Sequence, residues 1–328
     1  MQIGKDVSFN LNVKAVQTKN NYNKSLNFGF QDENNIGKNT LKTASTKDYN
    51  SNNSYGLCPE KQKTSKFLIK GKANRTATNL IELIKKETND NEPFKISNMF
   101  PGDSETRYYR VQTTGDSSAK VNLNFGNIDT NSELTNIVKT RIKLLPETVL
   151  YDGLLKDMSE LAIPTTSGTN EMYFEIILYI DTSVKDTKYE DQDLSFNILF
   201  NIQNDIESRV MVENNLIHTG EVKVNLNNGQ PVIKENENLI SWHGFRIFKN
   251  FFVENEGTGN CYYKLYLSNV EGELAKFMNI TIKDGEEILW KGLMSDLNEE
   301  NAVIVDDELK VGQRQNLIIE FEFIGDLK

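Results

Sequence analysis

The sequence predicts an all-β protein built as two tandem jelly-roll or Ig-like antiparallel sandwiches, the C-terminal one completed by a strand from the N-terminus. Three observations carry this. From about residue 92 onward, runs rich in β-branched and aromatic residues alternate with turn signals. The second half of the chain repeats the pattern of the first. The final strand of the first copy has no counterpart at the end of the second, but it does have one at residues 6–16. A length of 328 residues fits two domains.

The elements follow in order. Val7, Phe9, Leu11, Val13 and Ala15 alternate with Ser8, Asn10, Asn12 and Lys14, the period-2 pattern of a strand with one buried face. Residues 1–18 are therefore read as a donor strand. Residues 19–91 are read as an Asn/Lys-rich linker, because residues 19–66 hold few apolar side chains to offset ordering entropy. Within it, Phe67-Leu68-Ile69 suggests a short strand, and Leu80, Ile81, Leu83 and Ile84 suggest one face of a short helix. Residues 92–208 form the expected first sandwich and 209–328 the second. Met172–Ile180 and Leu317–Ile324 are their clearest strands. Pro101-Gly102-Asp103, Thr114-Gly115-Asp116, Asp152-Gly153 and Asp284-Gly285 punctuate them.

The repeat rests on three matches in the same order. Residues 99–128 align without gaps on 241–270, with Gly102 on Gly244, Val111 on Val253, Gly115 on Gly257, Leu123 on Leu265 and Asn127 on Asn269. Val149–Met158 matches Ile288–Leu297, and 172–179 matches 317–324, with Glu175 on Glu320. The first copy then continues to Asp193–Phe200, which reads much like Asp6–Val13. A sandwich lacking that strand exposes an apolar groove and unpaired edges. Two closures are open: the strand folds back onto its own chain as a circular permutation, or it enters the next molecule and builds a head-to-tail polymer.

Composition narrows the function classes. Two Cys and two His exclude a disulfide framework and most His-based metal centres. A net charge of −10 argues against nucleic acid as the main partner. Residues 1–90 hold 15 Lys and Arg against 8 Asp and Glu, while the remainder holds 22 against 39. A basic front thus precedes an acidic body. No stretch approaches the roughly 20 apolar residues of a membrane span. Met1–Asp6 lacks an apolar signal-peptide core, which is read as a cytosolic protein or a processed form.

A family resemblance rests on Phe94–Ser104, Phe-Lys-Ile-Ser-Asn-Met-Phe-Pro-Gly-Asp-Ser, which resembles the opening signature of the TasA/camelysin family of secreted bacterial surface and biofilm-matrix proteins. Tyr151-Asp-Gly-Leu-Leu155 resembles that family's Tyr/Phe-x-Gly-x-Leu turn. Residues 261–275 and 282–293 resemble its two-domain members, whose last strand looks like Val7–Asn21 here. The second copy departs from the pattern, with His243-Gly244-Phe245 in place of Pro-Gly-Asp. The resemblance implies a jelly-roll-like sandwich, an extracellular or cell-surface location, and fibre assembly by strand exchange.

Catalytic chemistry finds little footing. Camelysin-type members have been classed as metallopeptidases, but the chain has no His-Glu-x-x-His, and His218 and His243 stand apart. The expectation is no enzymatic activity and no resident cofactor. Calcium is an open option at Asp306-Asp307-Glu308, Glu299-Glu300 and Glu190-Asp191, with solvated loops favoured. Cys58 and Cys261 are read as a weak candidate pair. Asn23, Asn52, Asn74 and Asn279 head Asn-x-Ser/Thr triplets, which recur by chance in an Asn-rich chain. Lys61, Lys63, Lys66, Lys70, Lys72 and Arg75 offer a basic run for an anionic cell-surface polymer or an acidic neighbour.

The expected binding residues are therefore Val7, Phe9, Leu11, Val13 and Ala15 on the donor. On the acceptor sandwich they are Phe251, Val253, Tyr263, Leu265, Leu267, Ile319, Phe321 and Phe323. The expected partner is a second copy of the chain. The alternatives are a monomeric permuted adhesion module and, distantly, a metallopeptidase.

Overall fold

The computed structural model describes residues 7–21, 30–40, 79–115, 118–203, 205–233 and 243–325. The chain begins with β1 (Ser8–Gln17) and β2 (Gln31–Thr40). There follow β3 (Asn79–Leu83), β4 (Lys95–Met99), β5 (Ser104–Gly115), β6 (Lys120–Gly126), β7 (Val138–Leu144), β8 (Thr148–Leu154), β9 (Leu161–Pro164), β10 (Gly168–Ile180), β11 (Asp193–Ile202) and β12 (Asp205–Thr219). The last third supplies β13 (Val224–Leu226), β14 (Arg246–Asn255), β15 (Cys261–Glu271), β16 (Met278–Asp284), β17 (Glu287–Leu293), β18 (Val303–Leu309) and β19 (Arg314–Phe323). Helical structure among the described residues is confined to short 3₁₀ turns. The fold is all-β, as the patterning predicts.

The strands make four sheets. One sandwich pairs β3-β5-β10-β7-β8 with β4-β12-β11-β6-β9, and the other pairs β13-β14-β19-β16-β17 with β18-β15-β1-β2. Neighbours run antiparallel except β4 on β12. Each sandwich encloses its own apolar cluster between its sheets.

The two copies agree in detail. Order β12-β11-β6-β9 in the first corresponds to β2-β1-β15-β18 in the second. Ile198 of β11 stands opposite Phe125, and Leu11 of β1 stands opposite Leu267. Register slips between Phe196 and Ile198 in one copy and between Phe9 and Leu11 in the other. The hairpins β7–β8 and β16–β17 carry bulges at Ile142/Lys143 and Ile282/Lys283. Asn127 and Asn269 both adopt φ 51, a left-handed conformation that asparagine tolerates better than most residues. The differing turns Pro101-Gly102-Asp103 and His243-Gly244-Phe245 keep one geometry. Gly102 (φ 90) and Gly244 (φ 81) supply the positive angle, and their N–H groups donate to Ile180 and Phe323 at 2.7 and 2.8 Å.

Three expectations need correction. Leu80–Ile84 does not make a helix: Asn79–Leu83 is edge strand β3 on β5, with Ile81 and Leu83 packed on the first core and Leu80 in solvent. So short an apolar run fits either period. Residues 19–91 are not solely a linker, because β2 belongs to the second sandwich and β3 to the first. The first sandwich does not end at 208, since β12 runs on to Thr219. Phe67–Ile69, Cys58 and the basic run 61–75 lie outside the described residues.

Candidate functional site

β1 lies in the interior of its sheet, between β15 and β2. Alternation sends Val7, Phe9, Leu11, Val13 and Ala15 to one face, and all five are buried in the second core. The expected acceptor residues split by role. Tyr263, Leu265 and Leu267 sit on β15, in backbone register with Ala15, Val13 and Leu11. Phe251, Val253, Ile319, Phe321 and Phe323 come from the facing sheet and meet the same side chains from across the core. The Phe9 and Phe321 rings are 5.7 Å apart at 43°, a tilted contact favourable to aromatic quadrupoles. The structure thus brings the donor and acceptor residues together within one chain.

The outer face of β1 is specified by polar groups. The Asn12 amide donates to Ser268 Oγ at 3.0 Å. Lys14 stands opposite Lys264, a like-charge pair that would weaken the strand pairing by itself. Glu299 lies 3.5 Å from Lys14 and 3.4 Å from Lys264. Lys264 first, and Lys14 second, hold the Glu299 carboxyl below its usual range. At the end of the strand, Thr18 donates to Glu308 at 2.6 Å. Two of the acidic clusters weighed for calcium therefore engage front residues. Among the described residues no group of three or more His, Cys, Asp and Glu side chains is placed to hold a metal ion.

The sequence reading missed β2. Its side chains are mostly polar, yet they tie the hairpin to the body. The Asp32 carboxylate accepts from the Val224 N–H at 2.9 Å, and the Asn34 amide donates to the Val224 carbonyl at 3.0 Å. These two side chains link the edge of one sheet to β13 at the edge of the other. The Tyr266 hydroxyl donates to Glu33, and Phe30 and Ile36 enter the core. One signal was available: the first copy has a strand following β11, so a strand following β1 was due.

The hairpin is also clamped to the first sandwich through the Pro-Gly-Asp turn. Gln17 donates to the Pro101 carbonyl at 3.0 Å, Asn20 donates to Asp103 at 2.8 Å, and Lys19 pairs with Asp103 at 2.6 Å. Phe100, on that turn, packs into the second core against Phe30, with ring centroids 5.9 Å apart. A Cβ at Gly220 or Gly259 would lie 2.2 or 2.5 Å from the Phe100 ring, so both positions need glycine. Val184 and Tyr189 touch both cores.

Cys261 opens β15 opposite Gln17 and is a buried free thiol. Burial first, then the charges of Asp32 and Glu308, push it up to about 12. Such a thiol is a poor nucleophile while the hairpin covers it. His218 hydrogen-bonds Asp193 at 2.9 Å, and His243 hydrogen-bonds the Ile324 carbonyl at 3.2 Å.

No family model matches this chain, and no curated protein does. Solved structures with some likeness include the CupB6 tip adhesin from Pseudomonas aeruginosa, at 10% identity and TM-score 0.31, over 76% of this chain and 89% of that one. The class 5 fimbriae chaperone CfaA is similar at 8% identity and TM-score 0.18, over 71% and 83%. The serine protease VesC from Vibrio cholerae is similar at 11% and 0.17, over 75% of this chain and 47% of that one. Superpositions this loose carry no weight for function. No helix among the described residues is long and apolar enough to cross a membrane.

Proposed function

We propose that the chain is a structural subunit of an extracellular or cell-surface fibre, assembling head-to-tail when the N-terminal hairpin of one copy seats in the second sandwich of the next. One observation carries the proposal. A strand from the start of the chain fills an interior position that the first sandwich fills from its own continuous sequence. Residues 41–78 join the hairpin to the first sandwich. With 38 residues between the two, seating in the same chain or a neighbour is a question of effective concentration. The open exchange is heterologous and propagates unless it closes a ring. The resemblance to TasA/camelysin proteins points the same way.

A second reading has its own support. The hairpin occupies the groove of its own chain, which describes a monomeric, circularly permuted binding module. Negative-stain imaging separates the two. Filaments from concentrated protein, lost when Phe9 and Leu11 are replaced by Asp, support the fibre. Filaments that persist in the double variant, or single particles at every concentration, rule against it.

A further inference from the structure

We infer that the Pro101-Gly102-Asp103 turn is a recognition site for the tip of the N-terminal hairpin, so that a chain receives a hairpin, its own or that of a second copy, with both of its sandwiches. This deepens the fibre reading and rests on it. The tip is an addition to the repeat. In the first sandwich Ile202 of β11 pairs with Asp205 of β12, which leaves two residues between them. In the second, Val16 of β1 pairs with Gln31 of β2, which leaves 14. Two residues suffice to close a hairpin, so the longer tip serves something other than closure.

Its bonds show where it is directed. Gln17 is fully buried. Its amide donates to the Lys19 carbonyl at 2.9 Å and accepts from the Phe30 N–H at 3.2 Å, which shapes the tip. The same amide donates to the Pro101 carbonyl at 3.0 Å, which ties the tip to the turn. Asn20 adopts φ 62, a left-handed conformation that asparagine tolerates. So placed, its amide donates to the Pro101 carbonyl at 3.2 Å and to Asp103 at 2.8 Å. Lys19 pairs with the same carboxylate at 2.6 Å. Bonds to a charged acceptor are among the stronger ones.

The turn presents a matching surface. Asp103 Oδ2 accepts from the Phe100 N–H at 2.9 Å, which fixes the carboxylate and turns Oδ1 to Asn20. A Cβ on Gly102 would lie 2.9 Å from Asn20 Cβ, so glycine here admits the tip as well as the positive φ. Only one of the two equivalent turns carries these groups. In the second copy Phe245 stands at the position of Asp103, and no described residue lies within 4 Å of a Cβ on Gly244. A tip offered to that turn meets no carboxylate. The hairpin is therefore directed to the junction of the two sandwiches. There β1 enters the second core while the tip holds the first sandwich. A seated hairpin thus ties the receiver's sandwiches to each other, beyond the four residues that join β12 to β13.

Cys261 reports seating, because it is buried on β15 opposite Gln17 of β1. The test is its rate of reaction with a disulfide reagent, 5,5′-dithiobis(2-nitrobenzoate), in dilute full-length monomer with Cys58→Ser. Where reclosing outpaces reaction, the rate follows the open fraction. Asn20→Ala is compared in the parent and in Asp103→Ala. It should speed the reaction at least about fivefold in the parent, as loss of a hydrogen bond to a charged group does. In Asp103→Ala it should change the rate less than about twofold, because the bond is already gone. A turn that serves the first sandwich alone leaves the effect of Asn20→Ala the same in both. An equal rise in both backgrounds, or no rise in the parent, overturns the recognition site. If Asp103→Ala does not fold, Asp103→Ser, which still accepts from the Phe100 N–H but is too short for Asn20, gives the same comparison. The assay needs no filaments, so its failure leaves the assembly reading standing. Absence of filaments with the coupling intact removes the assembly and keeps the recognition site.

Discussion

Replacing Phe9 and Leu11 by Ala should strongly destabilise the second sandwich while leaving the stability of the first unchanged. Both side chains are buried, with Leu11 between Leu267 on β15 and Ile36 on β2 and Phe9 against Phe321. Removing a buried Leu costs about 2–5 kcal/mol and removing a buried Phe about 3–5. The two are neighbours on one face of β1, so their costs overlap, and a joint loss of about 4–7 kcal/mol is expected. A domain of this size holds about 5–15 kcal/mol in total, which leaves the second sandwich marginal. The first has a separate core that contains neither residue. Urea unfolding followed by amide NMR should resolve two transitions, with the second sandwich moved to much lower urea and the first unchanged. A loss below about 1 kcal/mol, or equal loss in both sandwiches, refutes the assignment of β1 to the second core.

Three further outcomes follow from the same geometry. Phe100→Ala empties a site shared by the turn of the first sandwich and the core of the second; it should cost about 3–5 kcal/mol in the second sandwich, read by urea unfolding. Glu299→Gln should cost no more than about 1 kcal/mol, because its side chain is half exposed and water screens the pairs with Lys14 and Lys264; the loss should disappear in 1 M salt, and a loss unaffected by salt contradicts the electrostatic account. Asp90 is buried in the first sandwich; burial raises its carboxyl, but the N–H groups of Glu87 and Lys86 and the Arg110 guanidinium prevail and hold it below the usual range. Its stabilisation is then present above about pH 4 and lost as pH falls through the folded value. Asp90→Asn should flatten the acid limb of stability in the first sandwich, measured by urea unfolding from pH 6 to pH 2.5.

What was legible in the sequence was whatever the core demands of side-chain polarity. Val7, Phe9, Leu11, Val13 and Ala15 had to be apolar because the inner face of β1 is dry, and the alternation announced the strand. Correspondences such as Gly102 with Gly244 and Asn127 with Asn269 were visible because positive φ restricts residue choice. β2 was not legible. Asp32, Glu33 and Asn34 hold it through polar bonds to Val224 and Tyr266, and hydrophobic periodicity does not register such bonds. β3 was misread because five residues at a sheet edge leave too short a pattern.

The most direct test of strand exchange is cross-linking at Lys14 and Lys264, which face each other across β1 and β15. Directly opposed antiparallel positions have Cα atoms about 4.5–5.5 Å apart, within disulfide range. Both lysines are replaced by Cys in a chain with Cys58 and Cys261 changed to Ser, and the protein is oxidised at high and at low concentration. Exchange predicts a ladder of covalent multimers from concentrated, filament-forming protein and a cross-linked monomer from dilute protein. Cross-linked monomer alone, at every concentration and with filaments present, would contradict it.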